Sequence, residues 1–158
     1  MPKMLPMRAL LAIMFAMSCG SALGAKYEFD LDVPAGHFSY FKIGDVPASG
    51  SISGSVKFIE LRADKKWSPL FAVNLEGVDG RTLTLQFIAL DKGRTLMTKI
   101  MNGNGEPAVA VHKVENNAEL PVAITWTQGG ECTLRMPDGT SKSIVCAPPI
   151  KIRLSASS

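Results

Sequence analysis

Leu120-Pro121-Val122-Ala123-Ile124-Thr125-Trp126-Thr127-Gln128-Gly129-Gly130-Glu131-Cys132-Thr133-Leu134-Arg135-Met136-Pro137-Asp138-Gly139 is the stretch on which the fold turns. Val122, Ile124 and Trp126 alternate with Ala123 and Thr125, which puts three large apolar side chains on one face of an extended segment. Gly129-Gly130 then reverses the chain into a strand over 132–136, and Pro137-Asp138-Gly139 reverses it again. A period of two, broken by residues that tolerate positive φ, is the signature of antiparallel hairpins.

The same rhythm extends in both directions. Tyr27, Phe29, Leu31 and Val33 alternate with Glu28, Asp30 and Asp32 until Pro34-Ala35-Gly36, and 38–43 is a second candidate strand. The Gly/Ser-rich run 49–55 reads as a flexible connection. Over 56–61 the apolar phase shifts from Val56/Phe58 to Ile59/Leu61, as a bulge or two-sided burial would require. Strands follow at 69–75 and 82–90, joined through Asp79-Gly80, a strong hairpin signal. Further strands are expected at 95–101, 108–114, 143–146 and 150–154. No run is long enough for a crossover helix. The expected fold class is therefore all-β: an antiparallel two-sheet sandwich.

The first residues obey a different logic. Lys3 and Arg8 precede the uncharged run 9–17, and Ala22-Leu23-Gly24 suits cleavage after a small residue. The run is about half the roughly 20 residues that a membrane span needs. Residues 1–24 are expected to be a cleaved signal peptide and 25–158 a single β-sandwich domain with no transmembrane segment, in the periplasm or secreted. Cys19 offers lipoprotein processing as a second route, although Ala16 stands where a Leu-like residue is usual. Removing Lys3 and Arg8 leaves 15 basic against 14 acidic residues, too even a balance for the basic stripe that nucleic acid demands. Two cysteines then remain. In an oxidising compartment Cys132 and Cys146 are expected to form a disulfide.

The 120–139 stretch resembles the late strand pair of laminin-G-like, concanavalin A-like jelly rolls, in which a Trp-bearing strand leads through a Gly turn into one ending at Asp-Gly. Trp67-Ser68-Pro69-Leu70, opening a strand, is compatible with it. The resemblance implies a jelly-roll binding module of a secreted or periplasmic bacterial-type protein. It also makes calcium a possible cofactor, with Asp45, Asp79, Asp91 and Asp138 as turn carboxylates. Their plainer use is in forming the turns themselves.

Catalytic patterns are thin. Glu28, Asp30 and Asp32 share a strand face, but retaining glycosidases hold two carboxyls about 5–5.5 Å apart, closer than i, i+4 on a strand. A solvated edge strand explains them more simply. Tyr40-Phe41-Lys42-Ile43-Gly44, Glu60-Leu61-Arg62 and Gln86-Phe87-Ile88 are similar to fragments of jelly-roll alginate lyases. Their order differs from that family's, and Ile88 stands at its histidine position. His37 and His112 have no ligand at metal spacing, so no metal site is expected. Trp126 is expected in the core beside the disulfide, Met97 and Met101 as core filling, and Trp67 as the exposed aromatic best placed to stack on a ligand. These features describe an exported, non-catalytic binding module whose partner is a glycan or an envelope protein. An envelope accessory or structural protein is the alternative, and a small polysaccharide-active enzyme a more distant one.

Overall fold

The computed structural model describes residues 11–19, 22–30, 33–34, 36–58, 68–90, 95–103, 108–113 and 118–157, with 11–19, 22–30, 58 and 112 described through the backbone alone. The strands are β1 (Leu11–Cys19), β2 (Ala22–Asp30), β3 (Phe38–Asp45), β4 (Gly50–Phe58), β5 (Leu70–Gly77) and β6 (Thr82–Leu90), then β7 (Thr95–Asn102), β8 (Ala108–Lys113), β9 (Glu119–Trp126), β10 (Glu131–Arg135), β11 (Ser141–Val145) and β12 (Pro149–Ser157). They form two sheets, A in the order β11-β10-β9-β4-β1-β2 and B in the order β3-β12-β5-β6-β7-β8. Every ladder is antiparallel. This is the two-sheet sandwich that the alternation requires.

The core lies where the apolar faces meet. Sheet A supplies Ile52, Val56, Ile124, Trp126 and Leu134, and sheet B supplies Phe71, Val73, Leu85, Phe87, Leu96 and Leu154. Each such side chain contributes about 1.5–3 kcal/mol when fully withdrawn from water. The Phe71 and Phe87 rings stack at 6.2 Å, and their residues are register partners on β5 and β6. Trp126 is buried as expected, opposite Cys132 in the ladder, and its Nε1 donates to Pro47 O at 2.9 Å. Cys132 and Cys146 are joined and buried, tying β10 to the segment that leads into β12. Closing a loop of this size stabilises by about 3 kcal/mol on the chain-entropy model.

Two expectations need correction. The 49–55 run is no loose connection: it forms most of β4, between β9 and β1. Ile52 and Val56 face the core while Ser51, Ser53 and Ser55 alternate with them, a period-two pattern muted by serine's low hydropathy. Gly50 is small for a reason, since a Cβ there would stand 2.8 Å from Trp126 Cζ2. Met97 and Met101 do not fill the core either. Both are half-buried on the outer side of sheet B, in register with Ile88 and Thr84. On β7 the inward positions are Leu96, Thr98 and Ile100.

The turns follow their chemistry. Gly80 (φ 78°) and Gly139 (φ 84°) adopt the left-handed region that glycine favours. The Asp79 and Asp138 carboxylates each accept a backbone N–H two residues on, from Arg81 and Thr140, at 2.9 and 3.0 Å. The segment 11–19, expected to be the signal core, has strand geometry as β1, between β4 and β2. β2, which carries Glu28 and Asp30, lies at the edge of sheet A; Asp32 falls outside the described residues.

Candidate functional site

Alternation on β3 is inverted relative to hydropathy. Phe41 and Ile43 lie on the inner side, which leaves Phe38 and Tyr40 outside, 63% and 65% exposed. Two large rings held in water on a rigid strand are a cost unless they meet something. Their centroids are 6.4 Å apart and their planes inclined by 32°, so they present one broad, slightly angled aromatic step.

The register of sheet B sets polar groups beside that step. Lys42, Arg153, Asn74, Thr84 and Met101 stand opposite one another across β3, β12, β5, β6 and β7. The next outward row is Tyr40, Ser155, Ala72, Gln86 and Lys99, and beyond it come Phe38, Ser157, Leu70, Ile88 and Met97. A shallow depression of about 480 Å³ lies among Phe38, Tyr40, Asn74, Thr82, Arg153 and Ser155.

Its floor is hydrogen-bonded into one orientation. Thr84 Oγ1 donates to Asn74 Oδ1 at 3.0 Å, and Asn74 Nδ2 donates to Ser155 Oγ at 3.0 Å and to Arg153 O at 3.3 Å. Both ends of the amide are thereby committed, so the face is already ordered before a ligand arrives. Arg153 Nη2 donates to Glu76 Oε2 at 2.7 Å, and Lys151 Nζ approaches Glu76 Oε1 at 3.9 Å. One carboxylate thus serves two cations.

The sequence candidates fare unevenly. Trp67 and Glu60-Leu61-Arg62 lie outside the described residues, as does Asp91. Tyr40, Lys42 and Gln86 from the lyase-like fragments do come to one face, but Tyr40 and Gln86 are three strand spacings apart, about 14 Å, and Ile88 stands one row beyond Gln86. Asp45 ends β3, while Asp79 and Asp138 lie in separate turns. Among the described residues no three His, Cys, Asp or Glu side chains gather as a metal site would need. His37 is exposed, and its backbone N–H donates to Pro34 O. Sequence reasoning misses Asn74, Arg153 and Ser155, whose partnership depends on β12 entering between β3 and β5. The Phe38/Tyr40 signal is present in the alternation of 38–43.

No protein-family model matches the chain, and no curated protein matches it. Solved structures give distant likenesses. A toad ovary galectin in complex with thio-digalactose shares 17% identity over 92% of this chain and 91% of its own, at a TM-score of 0.32. The CBM2 module of the evolved Dit of Lactobacillus casei BL23 phage J-1 shares 13% over 77% and 70%, at 0.37. The receptor-binding domain of botulinum neurotoxin type G shares 12% over 91% and 46%, at 0.27. The fold described above rests on its own strand register rather than on these likenesses, and the laminin-G-like resemblance reaches as far as a β-sandwich and no further.

Proposed function

We propose that the protein is an exported, non-catalytic glycan-binding module whose binding surface is the outer face of sheet B. The observation that carries this reading is the pairing of an exposed aromatic step, Phe38 and Tyr40, with an ordered polar floor of Asn74, Ser155 and Arg153. A sugar ring has one face of weakly positive C–H groups and a rim of hydroxyls. The first docks on the negative face of an aromatic ring, and the second exchanges hydrogen bonds with fixed amide, hydroxyl and guanidinium groups. The depression is open and shallow, suited to an oligosaccharide lying across strands.

Export follows from the basic, apolar and small-residue order of 1–24, with the periplasm or the cell exterior as destination. The Cys132–Cys146 bridge suits an oxidising compartment. Among the described residues no helix is long and apolar enough to cross a membrane. A second reading, docking of an envelope protein along the edge of sheet B, draws on β8, where Val109 and Val111 are 52% and 62% exposed.

The test is a glycan array probed with the purified protein, with and without calcium, beside a Phe38→Ala/Tyr40→Ala variant. Binding that the variant loses by at least about ten-fold, as expected when buried aromatic contacts are removed, supports the reading. An array blank in both conditions, or a variant that binds as well as the parent, refutes it. A requirement for calcium would add the ion as a cofactor.

A further inference from the structure

The sheet face that carries Phe38 and Tyr40 also carries an excess of positive charge. Lys42, Lys99, Lys113, Lys151 and Arg153 stand on the outer face of sheet B, against Glu76 and Asp45. Glu76 is engaged with both Arg153 and Lys151, while Lys42, Lys99 and Asp45 have no ion-pair partner among the described residues. Lys42 is also the direct cross-strand neighbour of Arg153, where side chains stand about 4.5–5.5 Å apart at Cβ. Like charges so placed repel, and among the described residues the carboxylate paired with either of them is that of Glu76, which reaches Arg153 from the far side. Lys42 also follows Tyr40 by two residues on the same face, about 7 Å along the strand.

The other side of the sandwich is a control within the same molecule. On the outer face of sheet A, Lys57 and Arg135 are balanced by Glu119 and Glu131, Ser51, Ser53, Ser55, Thr125, Thr133 and Ser143 share the face, and the register of β1 and β2 places Lys26, Glu28 and Asp30 on the same side. Among the described residues that face carries no excess of cations. The cation excess therefore belongs to the side with the aromatic step.

We infer that the ligand of the sheet B face is an acidic glycan, with a carboxylate- or sulfate-bearing sugar stacked on Tyr40 and its anionic group between Lys42 and Arg153. The inference deepens the glycan reading above and rests on it. An anion at that point removes the Lys42–Arg153 repulsion and gains charge-assisted hydrogen bonds from two donors. Lys99, four strand spacings from Tyr40, reaches an acidic unit further along the same chain. Lys42 and Arg153 specify the charge of the sugar; Tyr40 holds its ring.

Calorimetric titration of the purified protein with polygalacturonate, dextran sulfate, uncharged dextran and single-stranded poly(dT) tests this. At least one acidic polysaccharide should bind at least about ten-fold more tightly than dextran, the size of one charge-assisted hydrogen bond. Lys42→Gln should lose that margin and Asp45→Asn should widen it, since the second removes a negative charge that has no ion-pair partner. Raising salt from 0.1 to 1 M, which shortens the screening length from about 10 to 3 Å, should bring acidic and neutral ligands together. Equal affinity for dextran and both acidic polymers, or a Lys42→Gln variant that keeps its preference, overturns the acidic assignment and leaves the glycan reading standing. Poly(dT) binding as tight as the acidic polysaccharide overturns it as well, by showing a general polyanion surface. A protein that binds nothing here and leaves the glycan array blank takes both down.

Discussion

Gly50→Ala should destabilise the protein, and Trp126→Phe should remove most of that effect. The added Cβ would lie 2.8 Å from Trp126 Cζ2 and 3.2 Å from Cε2, inside the roughly 3.5–4.0 Å at which carbon atoms rest. The ring cannot swing aside cheaply, because it is 1% exposed and its N–H is anchored on Pro47 O. Overpacking of this kind costs about 1–3 kcal/mol. The smaller entropy of the unfolded alanine chain offsets about 0.4–1 kcal/mol of it, leaving a net loss of about 1–2 kcal/mol. Trp126→Phe alone is costlier, about 2–3 kcal/mol, since it opens a void and deprives Pro47 O of its donor. It also deletes the atoms that the added methyl group would strike. In the double variant the two losses should therefore sum to at least about 1 kcal/mol more than is measured. Urea unfolding followed by far-ultraviolet circular dichroism reads all four proteins without relying on tryptophan emission. Additivity within about 0.5 kcal/mol, the behaviour of independent sites, would mean that the two residues do not compete for space and that the packing argument is wrong.

Two glycines with similar φ should respond differently. Gly130 (φ 81°) would bring a Cβ to 2.7 Å from Cys146 O, whereas Gly139 (φ 84°) has nothing within 4 Å. Alanine at 139 should cost only the left-handed penalty, about 1–2 kcal/mol. At 130 the loss should exceed that by at least about 1 kcal/mol, and equal midpoints for the two in urea would refute the clash. Thr98 Oγ1 is buried without a hydrogen-bond partner among the described residues. Thr98→Val keeps the shape and removes the orphan hydroxyl, so it should stabilise by about 1 kcal/mol and raise the melting temperature by about 3–5 °C; a lower melting temperature in calorimetry would show that the hydroxyl has a use.

The architecture is legible because its cause is local. Leu83, Leu85 and Phe87 declare a buried face by alternation alone, and Asp79-Gly80 declares the turn before it. Cys132 and Cys146 need only a compartment and a spacing. β4 escapes for a reason equally physical. Ser51, Ser53 and Ser55 are as much at home in a turn as on a solvated strand face, so only the contact of Gly50 with Trp126, 76 positions away, separates the two. Met97 and Met101 mislead similarly, because alternation shows that two residues share a face and not which side that face looks to. The candidate site is less legible still. Phe38, Tyr40 and Lys42 are one strand's pattern, but Asn74 and Arg153 become their neighbours through strand order, which no single segment encodes.

That strand order has a consequence for when the surface comes into being. β12 is the last strand in sequence, yet it lies between β3 and β5 and contributes Arg153 and Ser155 to the space between Tyr40 and Asn74. Until residues 149–157 have emerged, the two halves of the face have no common ladder, and pairing partners more than a hundred positions apart are slow to meet. On the glycan reading proposed above, a polypeptide that has not yet added β12 lacks Arg153 and Ser155 and has no assembled surface to offer. A truncation that removes β12 should therefore abolish sugar binding.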